Sequence, residues 1–467
     1  MSTTKWFKGL TAVVAGAMLL AGCGRTGIAP QSAAAKAGDV KTASVPDGFL
    51  WGVSTAGQQW EGYDTNSNWF HWWNAGKTED KNPFGANGLK MYGEDTKLAK
   101  GLGCNAFRTS IEWSRIEPQP GVIDPEAVAF YHRLLDDMRA KGLTPVITLH
   151  HFGHPQWVEA QGGWESGKTP ALFAKFAAFC AKEYGSKVDL WLTFNEPNTY
   201  LLGGWVAGAF PPGKQNPFDG LKAMRNMVKG HGMAYDAVHE NDPTAKVSFN
   251  MYTAEFQIGA RAQNQSPEER ATDRLGHDDT FMDEVMGLRS QSGGAKVDFA
   301  ALDYYCKFRI SLPFVFPKPD TWEVYPEGMY KAIKRYYAKY KLPVLIAENG
   351  MATKDGQPRA DGWTRSRYLV AHLEQMQRAM NEGVPVMGYI HWSITDNWEW
   401  GSYTPTFGLY KIDARKQNWK RIPADGADAF RSIVNAGGVT PALKAKYGLL
   451  PTPWTEGGKG TPVSIRK

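Results

Sequence analysis

Asp189 to Asn198 reads DLWLTFNEPN, an apolar, β-branched and aromatic run that stops at an acid followed by proline. Leu190, Trp191, Leu192, Thr193 and Phe194 predict a buried strand with a polar start and a proline stop. Glu196 therefore stands at a strand's C-terminal end. Pro197 ends the ladder and biases Glu196 towards an extended backbone, so that its carboxylate projects from the rim of the sheet. A carboxyl group there is either catalytic or the N-cap of a following helix.

A second segment of the same design is Pro343 to Met351, PVLIAENGM. Val344, Leu345, Ile346 and Ala347 make a short apolar strand, and Glu348 and Asn349 then meet Gly350, which allows a sharp turn. Two such strand ends in one chain predict paired carboxylates on the same face of a parallel sheet. Cleavage of a glycosidic bond uses that arrangement.

From these two segments the alternation extends in both directions. Strands are expected at 49–57, 106–113, 144–151, 189–196, 246–255, 298–305, 343–349 and 386–395, with helical patterns at 94–101, 125–141, 170–184, 221–240, 327–340 and 365–382. Eight strands alternating with helices, with no second linker, predict an α/β protein built as a single (β/α)8 TIM barrel with enlarged loops over residues 45–450. An open doubly wound sheet is the rival, but no G-x-G-x-x-G follows the first strand. Residues 263–295 and 308–325 are polar or proline-rich and are expected to be long excursions, and 451–467 an irregular tail.

Residues 1–22 look like an address. Lys5 and Lys8 precede an apolar run from Leu10 to Ala21, too short for a permanent membrane span, and Leu20-Ala21-Gly22-Cys23 follows. This tetrapeptide resembles the bacterial lipobox, which implies cleavage before Cys23, lipid attachment to its sulfur and a place in the cell envelope at the outer membrane. A secretory signal with a chance cysteine is the alternative. Residues 23–44, rich in Ala, Gly and Ser, then form a flexible tether. Cys104, Cys180 and Cys306 are odd in number, without metal spacing, and are expected to be small buried side chains. The net charge of +6 is modest for 467 residues and carries no Lys/Arg block, which argues against nucleic acid as a partner. With 18 Trp and 19 Tyr, the chain has flat faces to spare for sugar rings if they stand on the rim.

TFNEPN and IAENG resemble the acid/base and nucleophile motifs of glycoside hydrolase family one, the β-glucosidase and β-galactosidase family. The resemblance implies a retaining exo-acting β-glycosidase needing no cofactor and no metal, with Glu196 as acid/base and Glu348 as nucleophile. It assigns sugar binding to Gln59, within Gln59-Trp60-Glu61-Gly62. Arg108, an arginine inside an apolar strand that needs an acid partner, falls beside the nucleophile, the alternative being a structural ion pair. Arg115 reads as scaffold. Strand three ends in three histidines within five residues, His150, His151 and His154, but alternate strand residues face opposite sides, so His150 and His151 cannot both face the site; the family pattern gives His151 to the sugar, with Phe152 where a tryptophan is usual. Asn195 falls on the 2-hydroxyl and Tyr305 on the nucleophile. Trp392 is the platform under the ring and Glu399 the acceptor for its far hydroxyls, which argues for an unphosphorylated sugar; Trp400 and Phe407 stand nearby. Asp303 departs from the pattern, which usually has asparagine. A third carboxylate beside Glu196 is expected to raise the apparent pKa of the pair and help keep Glu196 protonated. A sugar-binding lipoprotein on a degenerate barrel and a transglycosylase are the alternative readings.

Overall fold

The computed structural model describes residues 45–257, 267–309 and 318–448. Eight parallel strands close into a barrel in chain order: β1 Leu50–Ser54, β2 Ala106–Ser110, β3 Thr144–Thr148, β4 Leu190–Asn195, β5 Lys246–Gln257, β6 Ala300–Arg309, β7 Val344–Glu348 and β8 Val386–Trp392, which returns to pair with β1. All eight expected strands are present, most of them a few residues shorter at the end where the polar residues begin. β5 and β6 instead run on together, pairing as far as Gln257 with Arg309.

The barrel follows from a period of two read against two apolar surroundings. Val146, Leu190, Leu192, Ala301, Leu345, Ala347 and Ile390 share one buried cluster. Their neighbours Ile147, Trp191, Leu302, Ile346 and Tyr389 belong to the larger core shared with the helices. Filling the lumen with apolar side chains leaves the C-terminal mouth for chemistry.

The expected helices all occur, as Gly88–Gly101, Pro125–Ala140, Thr169–Tyr184, Pro217–Asn241, Pro326–Tyr340 and Arg365–Asn381. The stretch 263–295, expected as a long excursion, carries helical structure from Pro267 onward. Helices Pro267–Gly276 and Thr280–Met286 lie within it, because Ala271 and Leu275, and then Phe281, Met282 and Val285, supply a narrow buried face among the charges. In 308–325, a 3-10 turn spans Pro319–Thr321. Beyond β7, antiparallel ribbons pair 353–354 with 405–406 and Tyr410–Asp413 with Asn418–Pro423. Cys104, Cys180 and Cys306 are buried and free. Among the described residues, no helix is long and apolar enough to cross a membrane. The expected signal peptide, Cys23, the tether and the 451–467 tail lie outside the described residues.

Candidate active site

Glu196 follows β4 directly and opens the helix Pro197–Trp205. Its backbone is left-handed, φ +35° and ψ 62°, rather than extended as the proline suggested. The chain must pass from strand to helix in one residue, and the ring of Pro197 bars the right-handed region at the residue before it. Such a conformation costs on the order of 1–3 kcal/mol and is held by the surrounding fold. The side chain makes no capping bond, so the carboxyl is spent on the barrel mouth and not on the helix.

Glu348 ends β7 with both oxygens engaged: Arg108 Nη1 donates to Oε1, and the Tyr305 hydroxyl donates to Oε2 at 2.5 Å. Arg108, on β2, is fully buried, a position tolerable only because all five of its N–H groups find acceptors. Nε donates to Thr148 Oγ1, Nη1 to Ala347 O and Glu348, and Nη2 to Asn195 Oδ1 and Asn250 Oδ1. Asn195 Oδ1 also accepts from Asn250 Nδ2 at 2.6 Å. Two donors on that oxygen orient the amide, leaving the Asn195 NH2 for a ligand. Asn250, on β5, was missed from the sequence. It lies mid-strand in KVSFNMYTAE with no motif around it, and only closure of the barrel brings it between Arg108, Asn195 and Asp303.

Carboxylate oxygens of Glu196, Asp303 and Glu348 lie within 4.8 Å of one another. All three residues are buried. Burial first, and then the Glu348 carboxylate, push Glu196 well above the ordinary carboxyl range. Hydrogen bonds from the Thr199 side chain and from Asp303 act the other way. Asp303 lies within hydrogen-bonding reach of Glu196, and that bond favours the ionised form of Glu196, while the charge of Glu196 acts on Asp303 in the opposite direction. Burial, Glu348 and Glu196, in that order, push Asp303 itself well up.

The sugar-facing candidates surround these acids. Gln59 Nε2 donates to Asn397 Oδ1, to the Trp398 carbonyl and to Glu399 Oε2 at 3.2, 2.9 and 3.2 Å, while its Oε1 is buried without a partner. Burial and then the charge of Glu348 push Glu399 up to about 8, against bonds from Gln59 and the Trp392 indole. His151 lies between Trp392 and Trp400, with ring centroids 5.9 and 5.7 Å away and near-parallel planes. Burial, then Arg108, hold His151 well below its usual value, so it is a neutral imidazole, and its Nδ1 has no partner. Phe152 is buried against Tyr200, Phe210 and Trp400 and offers no donor. Phe407 packs with Tyr305 and Trp322. His150 faces away from this group: its Nε2 accepts from the indole of Trp164. Arg115 pairs with buried Glu61 at 2.5 Å, as a scaffold arginine would.

Of the acid clusters among the described residues, the one at His277, Asp278 and Asp279 has its two aspartates engaged by Arg335 and Lys339. In the barrel mouth, the Arg108 guanidinium pairs with Glu348. An acid paired with a guanidinium and an acid raised by burial, this close at the C-terminal end of a parallel barrel, can attack and protonate the two sides of a glycosidic bond. Separations of about 5–5.5 Å between the carboxyls go with retention, and roughly 6.5–9.5 Å with inversion. Fold and site together define a retaining glycoside hydrolase.

Comparison with known proteins gives the same class. Residues 41–287 and 309–439 match the sequence profile of Glycosyl hydrolase family 1. A β-galactosidase of Pyrococcus woesei is 29% identical, over 85% of this chain and 98% of that protein. A chloroplastic galactolipid galactosyltransferase of Arabidopsis thaliana is 31% identical, over 79% of this chain and 60% of that protein. Among solved structures, the β-glucosidase from Thermotoga maritima in complex with noeuromycin superposes with a TM-score of 0.76 at 28% identity, over 85% of this chain and all of the other. The chain belongs to glycosyl hydrolase family 1 and is a β-glycosidase.

Proposed function

We propose that Glu348 is the nucleophile and Glu196 the acid/base of a lipid-anchored exo-β-glycosidase. The observation that carries this assignment is the asymmetry of the two acids: Arg108 and Tyr305 both donate to Glu348, and the pocket raises Glu196. In the first step a Glu348 oxygen bonds to the anomeric carbon as the glycosidic C–O bond breaks, and Glu196 passes its proton to the departing oxygen. In the second, the Glu196 carboxylate takes a proton from water. The water oxygen bonds to the anomeric carbon, Glu348 is released as a carboxylate, and the configuration is retained. Gln59, His151, Asn195 and Glu399 hold the hydroxyls of an unphosphorylated ring over Trp392, with Trp400 and Phe407 at the rim. The unpartnered Gln59 Oε1 and His151 Nδ1 are waiting acceptors or donors that a polyhydroxylated ligand would satisfy.

The test is asymmetric. Glu196→Gly should be rescued by azide to give the β-glycosyl azide, and Glu348→Gly should give the α product; the same anomer from both would end the assignment. Transglycosylation is the second reading, favoured by the similarity to the galactosyltransferase and decided by product analysis at high acceptor concentration. The leader and Cys23 support an anchored protein of the bacterial envelope.

A further inference from the structure

Of the three acids in the cluster, Glu348 is ion-paired to Arg108, and among the described residues neither Asp303 nor Glu196 has a cation of its own. Asp303 is fully buried, and its Cα is the cross-strand partner of Glu348, so ionising both would set two like charges side by side without water. The single guanidinium has no N–H to spare, because all five are donated to Thr148, Ala347, Glu348, Asn195 and Asn250. Asp303 Oδ2 accepts from Asn250 Nδ2, and Oδ1 receives no donor from the described residues. Within reach of Asp303 there is instead a second carboxyl, that of Glu196. Two carboxyl groups hydrogen-bond only when one of them holds a proton.

We propose that Asp303 works as an uncharged residue, doing with a carboxylic acid what an asparagine amide would do: Oδ2 accepts from Asn250, and Oδ1–H donates to the Glu196 carboxylate. It rests on Glu196 being the acid/base and is a positioning role, since Asp303 acts through Glu196. When Glu196 has given its proton to the leaving oxygen, Glu348 has become an ester, and the one new negative charge in the pocket is on Glu196. The Asp303 hydroxyl and the Thr199 side chain then stabilise that charge until Glu196 takes a proton from water. The proton on Asp303 stays with Asp303 throughout.

The other titratable groups around Asp303 are consistent with this. Tyr252, its cross-strand neighbour on β5, and Tyr305 on its own strand are both raised by burial and remain neutral. His151 is neutral, and Glu399 faces Glu348 through the ring site. Among the described residues, Arg108 is the cation bonded to this cluster, and it balances one of the three acids.

The experiment compares pH profiles of kcat/KM on a nitrophenyl β-glycoside for the full-length protein in detergent, as wild type, Asp303→Asn and Asp303→Ala. With a neutral donor at 303, the asparagine variant keeps its activity within about threefold and its alkaline limb does not fall. The alanine variant, which cannot donate, moves that limb upward by about one unit and loses rate in the deglycosylation step. An alkaline limb that moves to lower pH in Asp303→Asn means that the wild-type residue is an anion, and the proposal fails. Should the variants not fold, infrared spectra of the wild type with 13C-carboxyl aspartate decide: a protonated aspartic acid band is expected at pH 7.5, and its absence overturns the proposal. Glu196→Gln separates the two levels. A limb that disappears in Glu196→Gln but falls in Asp303→Asn leaves the assignment of Glu196 standing and removes only the role of Asp303.

Discussion

Tyr305 has one job that its neighbours cannot do. Its hydroxyl is the second donor on Glu348, opposite Arg108, at 2.5 Å, and the ring is locked by Tyr252, Trp322 and Phe407. A hydrogen bond to a charged group is worth about 1.5–3 kcal/mol, so Tyr305→Phe should lower kcat by roughly 10- to 100-fold with KM nearly unchanged. Steady-state kinetics on nitrophenyl β-glycosides measures this, and a variant with wild-type kcat would remove Tyr305 from the reaction. At this scale the two acids, Arg108 and Tyr305 were legible because each stands at or in an apolar strand where its chemistry is out of place. Asn250 was not, since an amide in the middle of a strand is unremarked until three partners converge on it.

At the scale of elements, the passage from β2 into the short helix Trp113–Ile116 carries a second buried acid group behind the site. Glu112 accepts from Ser110 Oγ at 2.6 Å and lies beside Glu61, which is held by Arg115 and Tyr131. Burial, then the Glu61 charge, push Glu112 from 4.5 up to about 8. The folded state thus keeps a proton that the unfolded chain loses near 4.5, and stability falls as pH rises from there to about 8. Glu112→Gln removes this dependence, so its Tm should drop less than that of the wild type between pH 5 and 8 in calorimetric scans. Equal slopes would show that Glu112 is not the group responsible. Elements were read well where the period was long and apolar, and less well where geometry overrode local preference. Proline at 197 bars one backbone region, but the choice of the left-handed one depends on the helix that must start there. Gly350 is required for room rather than for its turn, because a Cβ there would meet the carbonyl of Trp392 on β8.

For the whole molecule, the barrel answers to one period-two pattern, and the proposed anchor rests on the sequence of residues 1–23. Cys23→Ser should release the enzyme from the membrane fraction with unchanged kcat/KM; membrane retention of the variant would end the anchoring proposal. A single acyl chain binds marginally, and several give stable attachment, so the shift should be nearly complete.

The amino-acid sequence alone determined the eight strands, the barrel they close and the two acids at its mouth. Those depend on local apolar periods and on what stands at each strand's end, both of which are written along the chain. The left-handed turn at Glu196, the hub at Asn250 and the pairing of Asp303 with Glu196 were decided only by the tertiary structure. Each arises from residues far apart in sequence being buried against one another, where the absence of water sets which groups carry charge and one arginine has five hydrogens to give.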